Sequence, residues 1–290
     1  MNHRTSGVPM LLRAALPSIP GVNRLPGIRK DPSADPSTLS FSRSGVRLER
    51  AHAAAYARVC GFPEKDTVPL TYPHVLAFPL HLEALTSPRF PYPAIGTLHL
   101  ENSITGHRPL HPGETVDVSV RVSGPRPHPR GTLVDFVAEV RAEDEVVWAS
   151  TSTYLRRGRG DGAAPGGMTF DLTPEGTTEW RLPGDLGRRY AAVSGDRNPI
   201  HLYPVTAKAL GFPRQIAHGM WSLARCVAAL ENRLPDAVTV DAAFKKPVLL
   251  PGTVAFGHEA LPDAGGDQAF ALTRPKDGAP HLVGRSRSLA

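Results

Sequence analysis

Tyr190-Ala-Ala-Val-Ser-Gly195 runs straight into Asp196-Arg-Asn198-Pro-Ile-His201, and an earlier stretch, Tyr56-Ala-Arg-Val-Cys-Gly61, carries the same Tyr-Ala-x-Val-x-Gly frame. What surrounds the two frames also matches. Tyr72-Pro-His74 precedes an apolar segment as Ala217-His218 does, and Pro109-Leu-His-Pro112-Gly113 precedes an alternating strand as Pro247-Val-Leu-Leu-Pro251-Gly252 does. Such self-similarity is the mark of one structural unit used twice. The copies are unequal, because the second carries additional residues between its frame and its helix. Those residues hold Asp196, Asn198 and His201.

Working outward, each copy reads as a helix followed by antiparallel strands. In the first copy, residues 49–59 have helical character and 76–85 are apolar enough for a buried helix, with Pro79 in its first turns or kinking it. Residues 94–102, 115–122, 134–140 and 146–154 read as strands; Val116, Val118, Val120 and Val122 share one face, as do Val134, Phe136, Ala138 and Val140. In the second copy, 169–172 is extended and 218–234 has helical periodicity, ended by Pro235. Four strands follow at 238–244, 254–261, 268–273 and 281–288. The expected fold class is α+β, a double hot dog: two repeats, each an antiparallel sheet on a helix, joined into one extended sheet. The expected boundaries are a tail and linker over 1–40, a first domain at 41–156, a Gly- and Arg-rich linker at 157–167 and a second domain at 168–290.

Composition excludes several function classes. The net charge of +6 is scattered without a basic run, which speaks against a nucleic-acid tract. No apolar stretch is long enough for a membrane span. Cys60 and Cys226 have no metal-ligand spacing and read as reduced core thiols of a cytoplasmic protein. The first thirty residues carry Arg4, Arg13, Arg24, Arg29 and Lys30 without an acid, but prolines interrupt any amphipathic helix, so they read as a tail or surface strap.

The chemistry concentrates at the second copy's insertion. Asp196 and His201 flank a short segment held by Pro199, and both can address one water, the carboxylate as base and the imidazole as partner. Asn198 can instead brace the loop through backbone bonds. The Gly219 N–H opens a helix and is placed to meet an oxygen gaining negative charge. Each residue also has a plainer reading: Asp196 as a turn residue, His201 as a packing histidine, His218 as a tie between helix start and neighbouring strand. Lys245-Lys246 is either a solvated strand end or a contact for nucleotide phosphates. His107, His111 and His128 show no ligand spacing, so a metal site is not expected.

The pattern D-x-N-P-[IL]-H followed by H-G-M, here Asp196 to His201 and His218-Gly219-Met220, resembles the MaoC-like dehydratases, the (R)-specific enoyl-CoA hydratase family, over residues 185–260. The first copy is similar to the degenerate first hot dog of its two-domain members. The resemblance implies reversible hydration of a trans-2-enoyl thioester to an (R)-3-hydroxyacyl thioester in fatty-acid metabolism. Asp196 and His201 would activate the water, Gly219 N–H would polarise the carbonyl, and His218 would serve as scaffold. It implies no metal or redox cofactor and one site per chain, with acyl-CoA or an acyl-carrier-protein thioester as substrate. The rivals are a 3-hydroxyacyl-carrier-protein dehydratase, a thioesterase and a non-catalytic acyl-thioester-binding module. Pairing of two chains into a homodimer stays open.

Overall fold

The two Tyr-to-Gly frames are equivalent helices. In the computed structural model, which describes residues 30, 31, 33–261 and 266–289, they are α1 (Arg50–Cys60) and α3 (Leu186–Ser194). Each ends on a left-handed glycine, Gly61 at φ 78° and Gly195 at φ 75°, whose N–H closes the last turn on Ala57 or Ala191. A residue with a Cβ takes that conformation at a cost, and so glycine stops both helices. The two frames face each other: Tyr56 and Tyr190 are buried with ring centroids 6.1 Å apart.

The longer helices are α2 (Pro73–Thr86) and α6 (Gly219–Leu230), with the short α4 (Pro199–Leu202) and α5 (Pro204–Ala209) lying between α3 and α6. Residues 61–72, the corresponding connection of the first repeat, contain no helix. Nearly every side chain of α6 is buried, from Met220 and Trp221 to Leu230. Trp221 Nε1 donates to the Val59 carbonyl at 3.0 Å and so ties α6 to α1 of the other repeat.

Ten strands form one sheet: β1 (Ser40–Arg47), β2 (Thr97–Gly106), β3 (Thr115–His128), β4 (Gly131–Ala142), β5 (Glu145–Arg157), β6 (Thr178–Leu182), β7 (Val238–Phe244), β8 (Gly252–Ala260), β9 (Gln268–Thr273) and β10 (Pro280–Ser288). Their spatial order is β1-β3-β4-β5-β2-β7-β10-β9-β8-β6, every pair antiparallel. The order reads the same from either edge once the repeats are exchanged, with the two equivalent strands β2 and β7 at the centre. Ile104 pairs with Val240 there, and Ser103 Oγ donates to Asp241 at 2.7 Å. This is the α+β double hot-dog architecture. The expected valine alternation on β3 holds, with Val116, Val118, Val120 and Val122 all buried against the helices.

Several element boundaries differ from the sequence reading; β3, β4 and β5 each run longer than expected, to Thr115–His128, Gly131–Ala142 and Glu145–Arg157. Helix α2 starts at Pro73 rather than 76, so Pro79 lies in its interior, where it removes the N–H that would bond Val75. Helix α6 stops at Leu230 rather than 234, because Leu234 precedes Pro235 and is biased away from helical ψ. The central strand is Thr97–Gly106 rather than 94–102, since pairing with β7 carries it to Gly106. The second repeat opens with Thr178–Leu182 rather than 169–172; Trp180 stacks on Phe256 at 4.9 Å and holds that strand on β8. Within the expected tail and linker over 1–40, Leu39 is already buried and Ser40 already paired, while residues 1–29 and 32 lie outside the described residues. Lys30 donates to the carbonyls of Leu85 and Ser87 at the end of α2. No helix among the described residues is long and apolar enough to cross a membrane. Cys60 and Cys226 are both buried free thiols.

Candidate active site

The insertion of the second repeat is built from nested side-chain caps. Asp196 Oδ1 accepts the Asn198 N–H at 3.0 Å, and Asn198 Oδ1 accepts the Ile200 N–H at 3.4 Å as N-cap of α4. Pro199 takes the first helical position, where its missing N–H costs nothing. One turn of helix then carries His201 inward. Residues 215–217 hold the other side of the loop: Ile216 N–H donates to Ile200, and Ala217 N–H donates to Val248. Gly187 of α3 lets this loop approach. A Cβ there would overlap the His201 carbonyl.

These ties bring Asp196, His201 and His218 together from three elements. One ligand-type atom of each lies within 4.8 Å of the other two. The imidazoles of His201 and His218 stack with centroids 3.7 Å apart, and Tyr190 covers His218 from 4.8 Å. His201 is 8% exposed, His218 2%, and the Asp196 side chain 26%, so the carboxylate is the member that reaches the open side.

The ring nitrogens have distinct roles. His201 Nδ1 lies 2.8 Å from the Ile216 carbonyl, which can only accept. In its neutral form His201 therefore carries its proton on Nδ1 and leaves Nε2 as an acceptor. His218 Nε2 donates to the backbone carbonyl of Asp196 at 3.0 Å and stands 3.8 Å from its carboxylate. Burial lowers the pKa of His201, opposed by the Asp196 charge and the bond to Ile216. Burial pushes that of His218 well down, with the neighbouring His201 adding to it.

Such a trio could also attract a metal ion. The nitrogen that His218 turns to Asp196 is spent on a carbonyl, however. The converging free atoms are the Asp196 carboxylate and His201 Nε2, fewer than the three or four protein ligands of a zinc site.

His218 is also the N-cap of α6, so Gly219 is the first helical residue and its N–H points out of the helix start. No acceptor among the described residues meets it. The ring of Phe244 lies 3.2 Å from where a Gly219 Cβ would stand, so any larger residue presses on that ring. Phe244 also lines a cleft of about 220 Å³ together with Glu101, Arg130, Lys245, Lys246 and Pro280. Lys245 Nζ reaches the Met168 carbonyl at 3.5 Å.

The repeat sharpens by correction. Sequence parallels set His74 against His218, but counted from the helix start Tyr72 is the cap of α2 and Pro73 occupies the place of Gly219. Proline has no N–H to offer there. The first repeat thus lacks both the polar insertion and the donor. Sequence reasoning missed what stands near the site on that side. Tyr154 and His74 lie close enough to Asp196 for its charge to raise their pKa values, against or alongside the effect of burial. His99 stacks on Tyr154 at 4.6 Å and touches Phe244 at 4.9 Å. The signal available was the spacing of His74 and His81, seven apart and so on one helix face.

Comparison with known proteins agrees with this architecture. Residues 165–269 match the family described as MaoC like domain. The chain is 39% identical over 291 residues to 3-hydroxyacyl-thioester dehydratase X of Mycobacterium tuberculosis, covering 98% of this chain and 99% of that protein. A crystal structure of HtdX from M. tuberculosis superposes with a TM-score of 0.76 at 37% identity, covering 87% of this chain and 100% of that one. A MaoC-like dehydratase from Phytophthora capsici shares the fold at a TM-score of 0.70 and 21% identity, over 87% and 94% of the two chains. With the relationship running through both repeats, the chain belongs to the MaoC-like dehydratase family.

Proposed function

We propose that this chain hydrates trans-2-enoyl thioesters to (R)-3-hydroxyacyl thioesters and catalyses the reverse dehydration, with Asp196 and His201 acting on the water. The chain is a hydro-lyase acting on acyl thioesters of fatty-acid metabolism. The observation that carries the residue roles is the convergence of the Asp196 carboxylate and the free Nε2 of His201 beside a helix start with an unmet N–H.

The chemistry follows from those atoms. A water held between Asp196 and His201 Nε2 attacks C3 of the enoyl group. Its proton passes to Asp196 and is returned to C2, so the elements of water are added across the double bond. As the C3–O bond forms, negative charge moves to the thioester oxygen. The Gly219 N–H, aligned with the positive end of α6, meets that charge; such a donor contributes roughly 3–4 kcal/mol. Asn198 holds the loop shape, and His218 positions Asp196 through its backbone carbonyl. Arg130, Lys245 and Lys246 at the cleft beside Phe244 suit a phosphate-bearing handle, coenzyme A first and an acyl-carrier-protein arm second. A cytoplasmic setting fits the two free thiols.

Loss of enoyl absorbance with trans-2-enoyl-CoA, and with the matching carrier-protein thioester, tests the reading. Asp196→Asn and His201→Ala should each lower turnover by roughly 10²–10⁴. Near-normal turnover in both variants rejects the assigned site; binding without hydration on either handle rejects the reaction.

A further inference from the structure

Three histidines of the first repeat form a buried cluster that the hydration chemistry does not use. His74 and His81 share one face of α2, with ring centroids 5.4 Å apart at 82°. His99 comes from β2 and lies parallel to His74 at 6.4 Å. Phe136 packs on His81 at 5.1 Å. Nδ1 of His74, both nitrogens of His81 and Nε2 of His99 are enclosed with no protein hydrogen-bond partner. Buried polar atoms are paired in the great majority of cases. Four unpaired ones on three adjoining rings make a local set of unmet donors and acceptors.

That set adjoins the proposed reaction site. Phe244 touches His99 on one side and abuts Gly219 on the other. His74 feels the charge of Asp196. The cluster is not arranged as a metal site, since among the described residues only the Asp196, His201 and His218 atoms converge closely enough. Nor does it suit a carboxylate. Burial keeps the rings neutral, with His74 pulled down to about 4 and His99 to about 3.

A neutral imidazole offers one N–H and one bare nitrogen. Both are unmet on His81 and point away from each other, so the complementary group is one that accepts from the N–H of one ring and donates to the bare nitrogen of its neighbour. A hydroxyl does this; a hydrocarbon chain does neither. We propose that His74, His81 and His99 form a polar subsite for the acyl group, and that the substrates of this chain carry a hydroxyl beyond the reacting C2 and C3. This rests on the hydratase reading for the reaction, but not for the binding.

The experiment compares plain and terminally hydroxylated trans-2-enoyl-CoA thioesters of short, medium and long chain on the full-length protein. At the length that reaches the cluster, kcat/KM should favour the hydroxylated form by about 10–100-fold, and His81→Phe should bring that ratio close to one. Equal kcat/KM at every length, with the nitrogens met by water alone, overturns the proposal. A second measurement needs neither turnover nor a variant. The ¹⁵N shifts of the His74 and His81 rings should move on binding a saturated hydroxyacyl-CoA and stay in place with its plain counterpart. If the hydroxylated compound leaves them unmoved, the subsite is wrong even where hydration is observed. If they move but no enoyl-CoA is hydrated, the subsite stands and the reaction assignment falls.

Discussion

Gly187→Ala probes the site without touching a titratable group. Gly187 lies in the first turn of α3, and an added Cβ would overlap the carbonyl oxygen of His201 and crowd its carbonyl carbon. The obstacle is backbone, so no rotamer change relieves it. Helix α3 and the Asn198–His201 turn must separate by at least about 1 Å, and a misplacement of that size costs about 10²-fold in rate. The strain should also cost about 1–3 kcal/mol of stability. A matched control separates the two effects. On β8, a strand that carries none of the trio, a Cβ on Gly257 would overlap the Glu175 carbonyl in the same manner. Both variants should melt at lower temperature, measured by circular dichroism. Turnover per folded molecule on trans-2-enoyl-CoA should fall about 10²-fold in Gly187→Ala and stay near wild type in Gly257→Ala. If the two variants match in turnover as well as in Tm, the position of the His201 turn does not govern the reaction, and the site argument fails with it.

Two further outcomes follow from the buried imidazoles. His201 must be neutral for Nε2 to accept a hydrogen bond from the water, and burial lowers its pKa; kcat/KM should be flat through neutral pH and fall only below the ordinary imidazole range of about 6.5. An acid limb above that range contradicts the assignment. The stability of the fold should also depend on pH through His74 and His99, held at about 4 and about 3 in the folded chain by burial. The unfolded chain binds protons at these residues from about 6.5 downwards while the folded chain does not. Their contribution is therefore whole above that pH and drains by up to ~1.4 kcal/mol per unit per group as pH falls towards the folded values. Urea unfolding between pH 7 and 4.5 reads this slope. A flat profile would mean the three rings are solvated.

Local physics made much of this legible in the chain itself. The Tyr-Ala-x-Val-x-Gly frames could be recognised because a helix ending on a left-handed glycine is specified within a few residues, and both Gly61 and Gly195 do this. The Asp196–His201 turn was equally readable, since its caps reach only two residues along the chain. The alternation on β3 showed a buried face before any partner was known. Boundaries set by partners were less accessible. Strand β2 ends at Gly106 because β7, far along the chain, pairs with it there, and β6 forms at Thr178–Leu182 because Phe256 offers Trp180 a surface.

The sequence by itself determined the duplicated helix-and-strand unit, the inserted polar turn and the residues able to do acid–base work, because each depends on neighbours within one or two turns of chain. Only the tertiary structure decided which of the twelve histidines come into contact. His201 and His218 stack because Ile216 and Ala217 are pinned between Ile200 and Val248. Phe244 of one copy lies against His99 of the other because the two repeats meet edge to edge at β2 and β7. Strand pairing at the centre of the sheet acts over more than a hundred residues, and no local pattern encodes which side chains it will set face to face.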